Sequence, residues 1–320
     1  MKSTKTAITT KQAAELLCGN KRVAIFSHIN PDGDTVGASV ALKLLLNKAG
    51  IEADLYCESD MNAKLRCFDE VNSYGKICSG KYDMLVAVDC GDVFRLGENS
   101  GYYDSFSETM TIDHHGGEFF SKYNCLKEYS STCQIIYEIS QYFNVELDEK
   151  IATYLYMGLC TDTGNFAHNN TDSASFYFAG DLLKYKADTE KVYKTFFRDI
   201  TYAETMLRAK VVAKMRSYYD GRMFLIYITQ DDLAEFGLDD SVTTGIVSYA
   251  IDIDTACVGV CITEFAPNTY KVSMRGKNFD VRQVCKEFGG GGHVLASGCR
   301  ICGFLEDVIE KIVRTVGYTI

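Results

Sequence analysis

The chain has 320 residues, 47% of them apolar and 24% charged, with a formal net charge of −10. That length is too great for one ordinary compact core and suits two domains, and the composition is that of a globular protein rather than a disordered one. The acidity argues against a protein that grips long nucleic acid through its phosphates, although a bound metal pair could locally reverse the field for small phosphorylated substrates. No window of about 18 uncharged apolar residues occurs, so no transmembrane helix is expected. The start, "MKSTKTAITTKQAAELL", lacks the apolar core of a secretory signal. Thirteen scattered cysteines, an odd number in a long chain, read as reduced and mostly buried thiols of a cytoplasmic protein.

In chain order, "RVAIFSHI" reads as a buried strand and "TVGASVALKLLLNKAG" as a helix stopped by Gly50. "EADLYCES", "DMLVAVDCGD" and "TMTIDHH" read as three further strands. Strands separated by helical patterns imply a parallel sheet covered on both faces, with ligands gathering at the carboxyl ends of the strands. The polar clusters stand at those ends: "SHINPDGD" after the first strand, "DCGD" after the third and "DHHGGE" after the fourth. From Ser131 to Phe197 the pattern turns helical, in "STCQIIYEISQYF", "EKIATYLYMGLCTDTGNF", "SASFYFAGDLLKY" and "TEKVYKTFF". "TYAETMLRAKVVAKMRSYY" reads as a connecting helix, and a new strand begins at "GRMFLIYIT". The boundary falls within that helix, near residue 210. The expected division is a first domain over 1–190, a connecting helix over 191–216 and a smaller second domain over 217–320.

The five histidines are His28, His114, His115, His168 and His293, and all five sit in or beside polar or glycine-rich motifs. His28, Asp32 and Asp34 form H-x-x-x-D-x-D at a strand end; Asp89 lies in the next such loop, Asp113 to His115 in another, and Asp162 in "CTDTGNF". Four carboxylates with two imidazoles and no matching thiolate suit Mn2+ better than a structural zinc. Six donors exceed the needs of one catalytic ion and fit two ions bridged by a carboxylate, as in other two-metal sites. Taken alone, "PDGD" is as readily a turn, and Asp89 could cap a helix, although Asp92 or Arg95 nearby suits that role better. Coincidence of all these groups at successive strand ends favours the metal.

The residues resemble the DHH phosphoesterase family through "SHINPDGDTVGAS", "VAVDCGD", "TIDHHGGE" and "GLCTDTGNF", in the family's order and spacing. The resemblance implies an α/β fold of two domains, a DHH domain with a mainly parallel sheet flanked by helices and a smaller C-terminal mixed α/β domain, with the active site in the cleft between them. It implies two Mn2+ ions held by His28, Asp32, Asp34, Asp89, His114 and Asp162, with Asp34 and Asp89 shared, and Mg2+ or Co2+ as substitutes. Asp113 would orient an imidazole and His115 would face the scissile phosphate. "YKVSMRGKNFDVRQVCKEFGGGGHVLASG" resembles the DHH-associated domain. There Arg275 would fork phosphate oxygens, Gly289, Gly290, Gly291 and Gly292 would let backbone N–H groups approach a phosphate, and His293 would bond a phosphate or base. After His293 this chain has Val294 and Leu295, where relatives often carry a polar or basic residue and then two alanines.

The compact length resembles the oligoribonuclease and pAp-phosphatase branch. This implies a hydrolase that cuts short single-stranded RNA to nucleoside monophosphates and dephosphorylates pAp by two-metal activation of a bridging hydroxide. pApA and cyclic di-AMP are further candidate substrates, and a dedicated dinucleotide phosphodiesterase is the alternative. A catalytically silent nucleotide-binding regulator is an alternative of another class. Neither long duplex nucleic acid nor membrane is expected as a partner, and the protein is a monomer or homodimer. "CRIC", Cys299 to Cys302, has no second pair at metal-knuckle spacing and reads as spectator thiols. "YSSTCQII" reads as a helix start with Ser130 or Ser131 as N-cap, its free N–H groups open to a cap or a phosphate. His168 is left between a substrate contact and a surface role.

Overall fold

The computed structural model describes residues 5–117, 119–318 and 320, so Glu118, the last residue of the "DHHGGE" cluster, lies outside the described residues. The chain divides into two compact units, Met1–Asp199 and Ile200–Ile320. Among the described residues, no helix is long and apolar enough to cross a membrane.

The first unit runs β1 (Thr6–Ala7), α1 (Thr10–Cys18), β2 (Arg22–Ser27), α2 (Gly33–Lys48), β3 (Glu52–Tyr56), β4 (Met84–Val88), α3 (Ser100–Asp104), β5 (Thr109–Asp113) and β6 (Tyr123–Leu126). Helices α4 (Thr132–Ser140), α5 (Glu149–Asp162), α6 (Ser173–Lys184) and α7 (Thr189–Tyr193) follow. The six strands are all parallel, in the order β1-β6-β5-β4-β2-β3. Strands β1 and β6, at one side of the sheet, carry no alternating pattern long enough to announce them. Val23 and Ile25 point to the face covered by α1, α2, α4 and α5, and Ala24 and Phe26 to the opposite face. That second face is closed by a smaller cluster, in which Phe26 and Tyr103 meet edge to face. Gly50 ends the second helix region in a left-handed conformation, φ +81°.

Close packing of α2 on α5 has a local cause. A Cβ at Gly158 would lie 2.2 Å from Cys133 Sγ and 2.4 Å from Asp34 Oδ1, so only glycine lets α5 come this near. Asp162 sits one turn further along the same helix.

The second unit runs α8 (Tyr202–Ala213), β7 (Arg216–Tyr218), β8 (Met223–Ile228), α9 (Gln230–Glu235), α10 (Ser248–Ile251), β9 (Val258–Ala266), β10 (Thr269–Gly276), α11 (Val281–Glu287), β11 (Gly291–His293), β12 (Ala296–Cys302) and α12 (Leu305–Gly317). The helix read over "TYAETMLRAKVVAKMRSYY" therefore ends at Ala213, and Arg216–Tyr218 pairs with β8 instead. The mixed sheet has the order β11-β12-β10-β9-β8-β7. One face packs Val272, Met274 and Ile301 against Val284 of α11 and Val308 and Ile312 of α12. On the other face, α8 and α10 cover Ile226, Ile228 and Cys261 with Leu207, Val211 and Ala250.

Candidate metal centre

Strands β5, β4 and β2 are neighbours in the middle of the first sheet, with Ser27 beside Val88 and Val88 beside Ile112. The residues that follow them in the chain, His28, Asp89 and Asp113 to His115, therefore leave the sheet side by side.

Each polar residue of "SHINPDGD" has a separate job. Asp32 is the N-cap of α2: Oδ1 accepts the N–H of Asp34 at 3.0 Å and of Thr35 at 3.1 Å. Its Oδ2 stands 3.7 Å from His28 Nε2. The turn reading of "PDGD" thus holds for one oxygen and leaves the other for the histidine. Asp34 is buried, and both its oxygens accept N–H groups from the start of α4, Thr132 at 2.6 Å and Cys133 at 3.1 Å. Asp34 takes the place of a side-chain cap on that helix, since Ser131 at the N-cap position makes none. Those two N–H groups are accordingly engaged and not open to a phosphate.

Asp89 has a left-handed backbone, φ +59°, a conformation that aspartate tolerates better than most residues. Its Oδ2 lies 3.7 Å from His28 Nε2 and its Oδ1 3.6 Å from His114 Nε2. The cap role weighed for Asp89 falls to Asp92, which accepts the N–H of Arg95 at 3.1 Å. Asp162, the last residue of α5, brings Oδ2 to 3.6 Å from His114 Nε2. His28 Nδ1 is 2.8 Å from the Ile29 carbonyl and His114 Nδ1 2.9 Å from the Tyr129 carbonyl. A carbonyl only accepts, so each ring carries a proton on Nδ1 and, when neutral, turns the Nε2 lone pair towards the carboxylates.

Three sets result, His28–Asp32–Asp89, Asp34–His114–Asp162 and Asp89–Asp113–His114–His115, each with ligand atoms within 4.8 Å of one another. They meet where Asp89 faces both histidines. The arrangement is poorly satisfied without a cation. His114 Nε2 is buried with no hydrogen-bond partner. Asp34 is pushed well above the usual carboxylate range by burial and by Asp89 and Asp162. Burial also pushes Asp162 up to about 6, with His114 opposing and Asp89 adding. Crowded carboxylates and orphaned imidazole nitrogens are what a divalent cation relieves, and the oxygen and nitrogen donor set, free of thiolate, fits such an ion.

His115 belongs only to the third of these sets, with its Nδ1 3.4 Å from Asp89 Oδ1. Its Nδ1 and its backbone N–H both reach Asp113 Oδ1 at 2.9 Å, and its side chain is 46% exposed. Hydrogen bonding to Asp113 and then to Asp89 pushes the imidazole up to about 10, so it carries a proton at neutral pH. Asp113 itself is buried.

Thr132 escaped the sequence reading, which took it for part of a helix start. Its Oγ1 donates to Asp89 Oδ1 at 2.9 Å and accepts the N–H of His114 at 3.2 Å, tying two neighbouring strand ends to α4. His168 lies off the donor sets: its Nδ1 is 3.2 Å from the Asp162 carbonyl, which Asn170 also bonds. Its partner is the main chain that carries Asp162.

In the second unit Arg275, Ala296 and His293 share one cross-strand row over β10, β12 and β11. Arg275 and His293 are exposed, and Nη1 of Arg275 donates to the Met274 carbonyl at 3.0 Å. The glycine run is demanded by the hairpin itself: a Cβ at Gly290 would lie 2.2 Å from the Gly298 oxygen. The N–H groups of Gly289 and Gly290 donate within the fold, to Lys286 and Cys285 carbonyls, and Gly291 has open space beside it. In "CRIC", strand alternation sends Cys299 inwards and Cys302 outwards, so the two thiols are not a chelating pair.

Residues 22–159 match the DHH family, N-terminal domain, and residues 220–320 match the DHHA1 domain. A protein of Streptococcus mutans named probable bifunctional oligoribonuclease and PAP phosphatase NrnA is 29% identical over 91% of this chain and 93% of its own. A Thermus thermophilus protein named bifunctional oligoribonuclease and PAP phosphatase NrnA is 28% identical over 92% and 89%. The cyclic-di-AMP phosphodiesterase PdeA of Listeria monocytogenes is 26% identical over 90% of this chain but 46% of its own. The crystal structure of an exopolyphosphatase-related protein from Bacteroides fragilis shares the fold, with a TM-score of 0.87 at 22% identity over 97% of this chain and 96% of that one.

Proposed function

The chain belongs to the DHH family of phosphoesterases, and from that premise we propose that it is a Mn2+-dependent hydrolase that cuts short RNA oligonucleotides to nucleoside monophosphates and dephosphorylates pAp. The observation that carries this reading is the pair of histidine and carboxylate sets that meet at Asp89. It is supported by relatives of matching length that are named for those two activities.

In this reading His28, Asp32 and Asp89 would hold one ion and Asp34, His114 and Asp162 the other, with Asp34 and Asp89 the candidates for shared residues. When bound, the pair supplies Lewis acidity at phosphate oxygens and an activated water at neutral pH. The side chains do the rest. Thr132 and the first N–H groups of α4 fix Asp89 and Asp34 before substrate arrives, so little reorganisation is left to the reaction. His115, held by Asp113 and already protonated, donates to the phosphate or to the departing oxygen. In the DHHA1 domain Arg275 forks a terminal phosphate, His293 bonds it or its base, and the run Gly289 to Gly292 keeps side chains out of the way. The protein works in the cytoplasm as a monomer or homodimer, with Mg2+ or Co2+ as substitute metals.

A second reading, hydrolysis of cyclic di-AMP or pApA, has one observation in its favour, the similarity to the Listeria phosphodiesterase. Product release from a panel separates the two: 5′-phosphorylated di- to pentaribonucleotides, a 20-mer, pAp, pApA and cyclic di-AMP, each with Mn2+ and with EDTA. Mn2+-dependent release from short oligomers and pAp, with the 20-mer slow, is the expected result. Turnover confined to adenine dinucleotides would hand the site to the second reading, and no turnover of any substrate would remove both.

A further inference from the structure

The second sheet is covered unevenly. Helices α8 and α10 close one face only over β8 and β9, where Ile226, Ile228 and Cys261 are buried. The same face continues onto β10, β12 and β11, where the pairs Arg275–Ala296, Ser273–Gly298 and Lys271–Arg300 lie directly opposite across β10 and β12. Directly opposed residues of an antiparallel pair point to the same side. Lys271, Arg275 and Arg300 are exposed, whereas Val272 and Met274 between them face the core. The open half of this face is therefore a flat strip with two cationic ends, Arg275 with His293 at one and Lys271 with Arg300 at the other, over Ser273 and Gly298.

These cations lack the usual partners of surface cations. Elsewhere in the unit, Lys210 and Lys214 pair with Asp232, Arg216 with Glu306 and Arg282 with Asp280. Among the described residues, Lys271, Arg275 and Arg300 form no ion pair with a carboxylate. The Arg300 guanidinium instead lies over the ring of Phe265, 5.1 Å from its centroid. That contact holds the side chain in place while leaving its N–H donors unspent. In a chain of net charge −10, such a strip is out of keeping with the rest of the molecule.

We infer that the open half of this sheet is an oligonucleotide track, in which Lys271 and Arg300 hold an internal phosphodiester of a strand whose terminal phosphate lies at Arg275 and His293. This rests on the proposed function for the placement of the terminal phosphate. Four residues of strand at about 3.4 Å each separate the two ends by roughly 13–14 Å. A single nucleotide such as pAp does not bridge that gap; an oligomer of a few nucleotides does. The small residues between the ends leave room for sugars to lie flat, and Phe265 offers a ring face to a base. A protein or lipid partner would need an apolar centre, which Ser273 and Gly298 do not give. The second pair of cations adds affinity only to substrates long enough to reach it, so it sets a preference by length.

The test is equilibrium binding of a 5′-phosphorylated, phosphorothioate-linked pentaribonucleotide to the Mn2+-loaded protein across a salt series, with pAp as competitor, for wild type and a Lys271→Gln/Arg300→Gln variant. The track predicts about tenfold weaker pentamer binding and a log–log salt slope shallower by about 1 to 1.5, with pAp unchanged. Unchanged pentamer affinity and slope, or equal weakening of pAp, would overturn it. Retained pAp binding reports that the variant is folded, and Lys271→Gln alone, at an exposed strand position, is read if the double variant is unstable. If wild type and variant differ as predicted while the wild type cuts neither oligomer nor pAp, the track stands and the proposed function falls.

Discussion

At the scale of single residues, the centre depends on groups that never touch a metal. Thr132 donates to Asp89 and accepts from His114, so its hydroxyl sets the carboxylate where the two donor sets meet. Thr132→Val keeps the shape and removes both bonds. Loss of a group that orients a ligand costs about 10- to 100-fold in metal affinity or activity, and we expect both the Mn2+ dissociation constant, measured by calorimetry, and kcat to move by that much. Thr132→Ser should recover most of the loss, which a merely space-filling threonine would not require. The sequence made His28, Asp89 and His114 legible because each directly follows a strand-like run in a chain with few histidines. Thr132 was not legible. Its partner Asp89 is 43 residues away, and in "SSTC" nothing separates a hydroxyl that caps a helix from one that braces a carboxylate. Asp34 had a readable role but hidden support, because its two N–H donors come from a helix almost 100 residues further on.

At the scale of elements, one helix crossing decides whether the second donor set exists. Gly158 lets α5 lie against α2 at Asp34, and Asp162 follows on the same helix. Gly158→Ala gains helix propensity but forces a methyl group into Cys133 and Asp34. Overpacking of this kind costs about 1–3 kcal/mol. The expected result is a lower thermal midpoint together with loss of tight Mn2+ binding, read by differential scanning calorimetry and isothermal titration on the same samples. An unchanged midpoint with full metal binding would mean that the two helices do not need this approach. Elements with a clear period were readable: strands β2 to β5 and the helices from α4 to α7. Those that deviated did so for physical reasons. Strands β1 and β6 have two and four residues, too few to alternate. Helix α8 stops at Ala213 although "KMRSYY" favours helix locally, because Arg216–Tyr218 finds hydrogen-bonding partners on β8.

At the scale of the molecule, the chain joins two units with opposite surface logic. The first gathers four carboxylates of the central strand ends and of α2 and α5 into one place, an arrangement that a cation relieves. The second leaves half of a sheet face open and basic within an acidic protein. The most direct test of this account is to measure metal content and pAp and dinucleotide turnover on the same preparation, for wild type and for Asp89→Asn. We predict two Mn2+ ions per wild-type chain and turnover that EDTA abolishes. Asp89→Asn, which weakens the residue facing both histidines, should lose at least one ion and most of kcat. A wild-type protein that cleaves these substrates at full rate after exhaustive metal removal, or an Asp89→Asn variant that keeps both ions and full turnover, would contradict it.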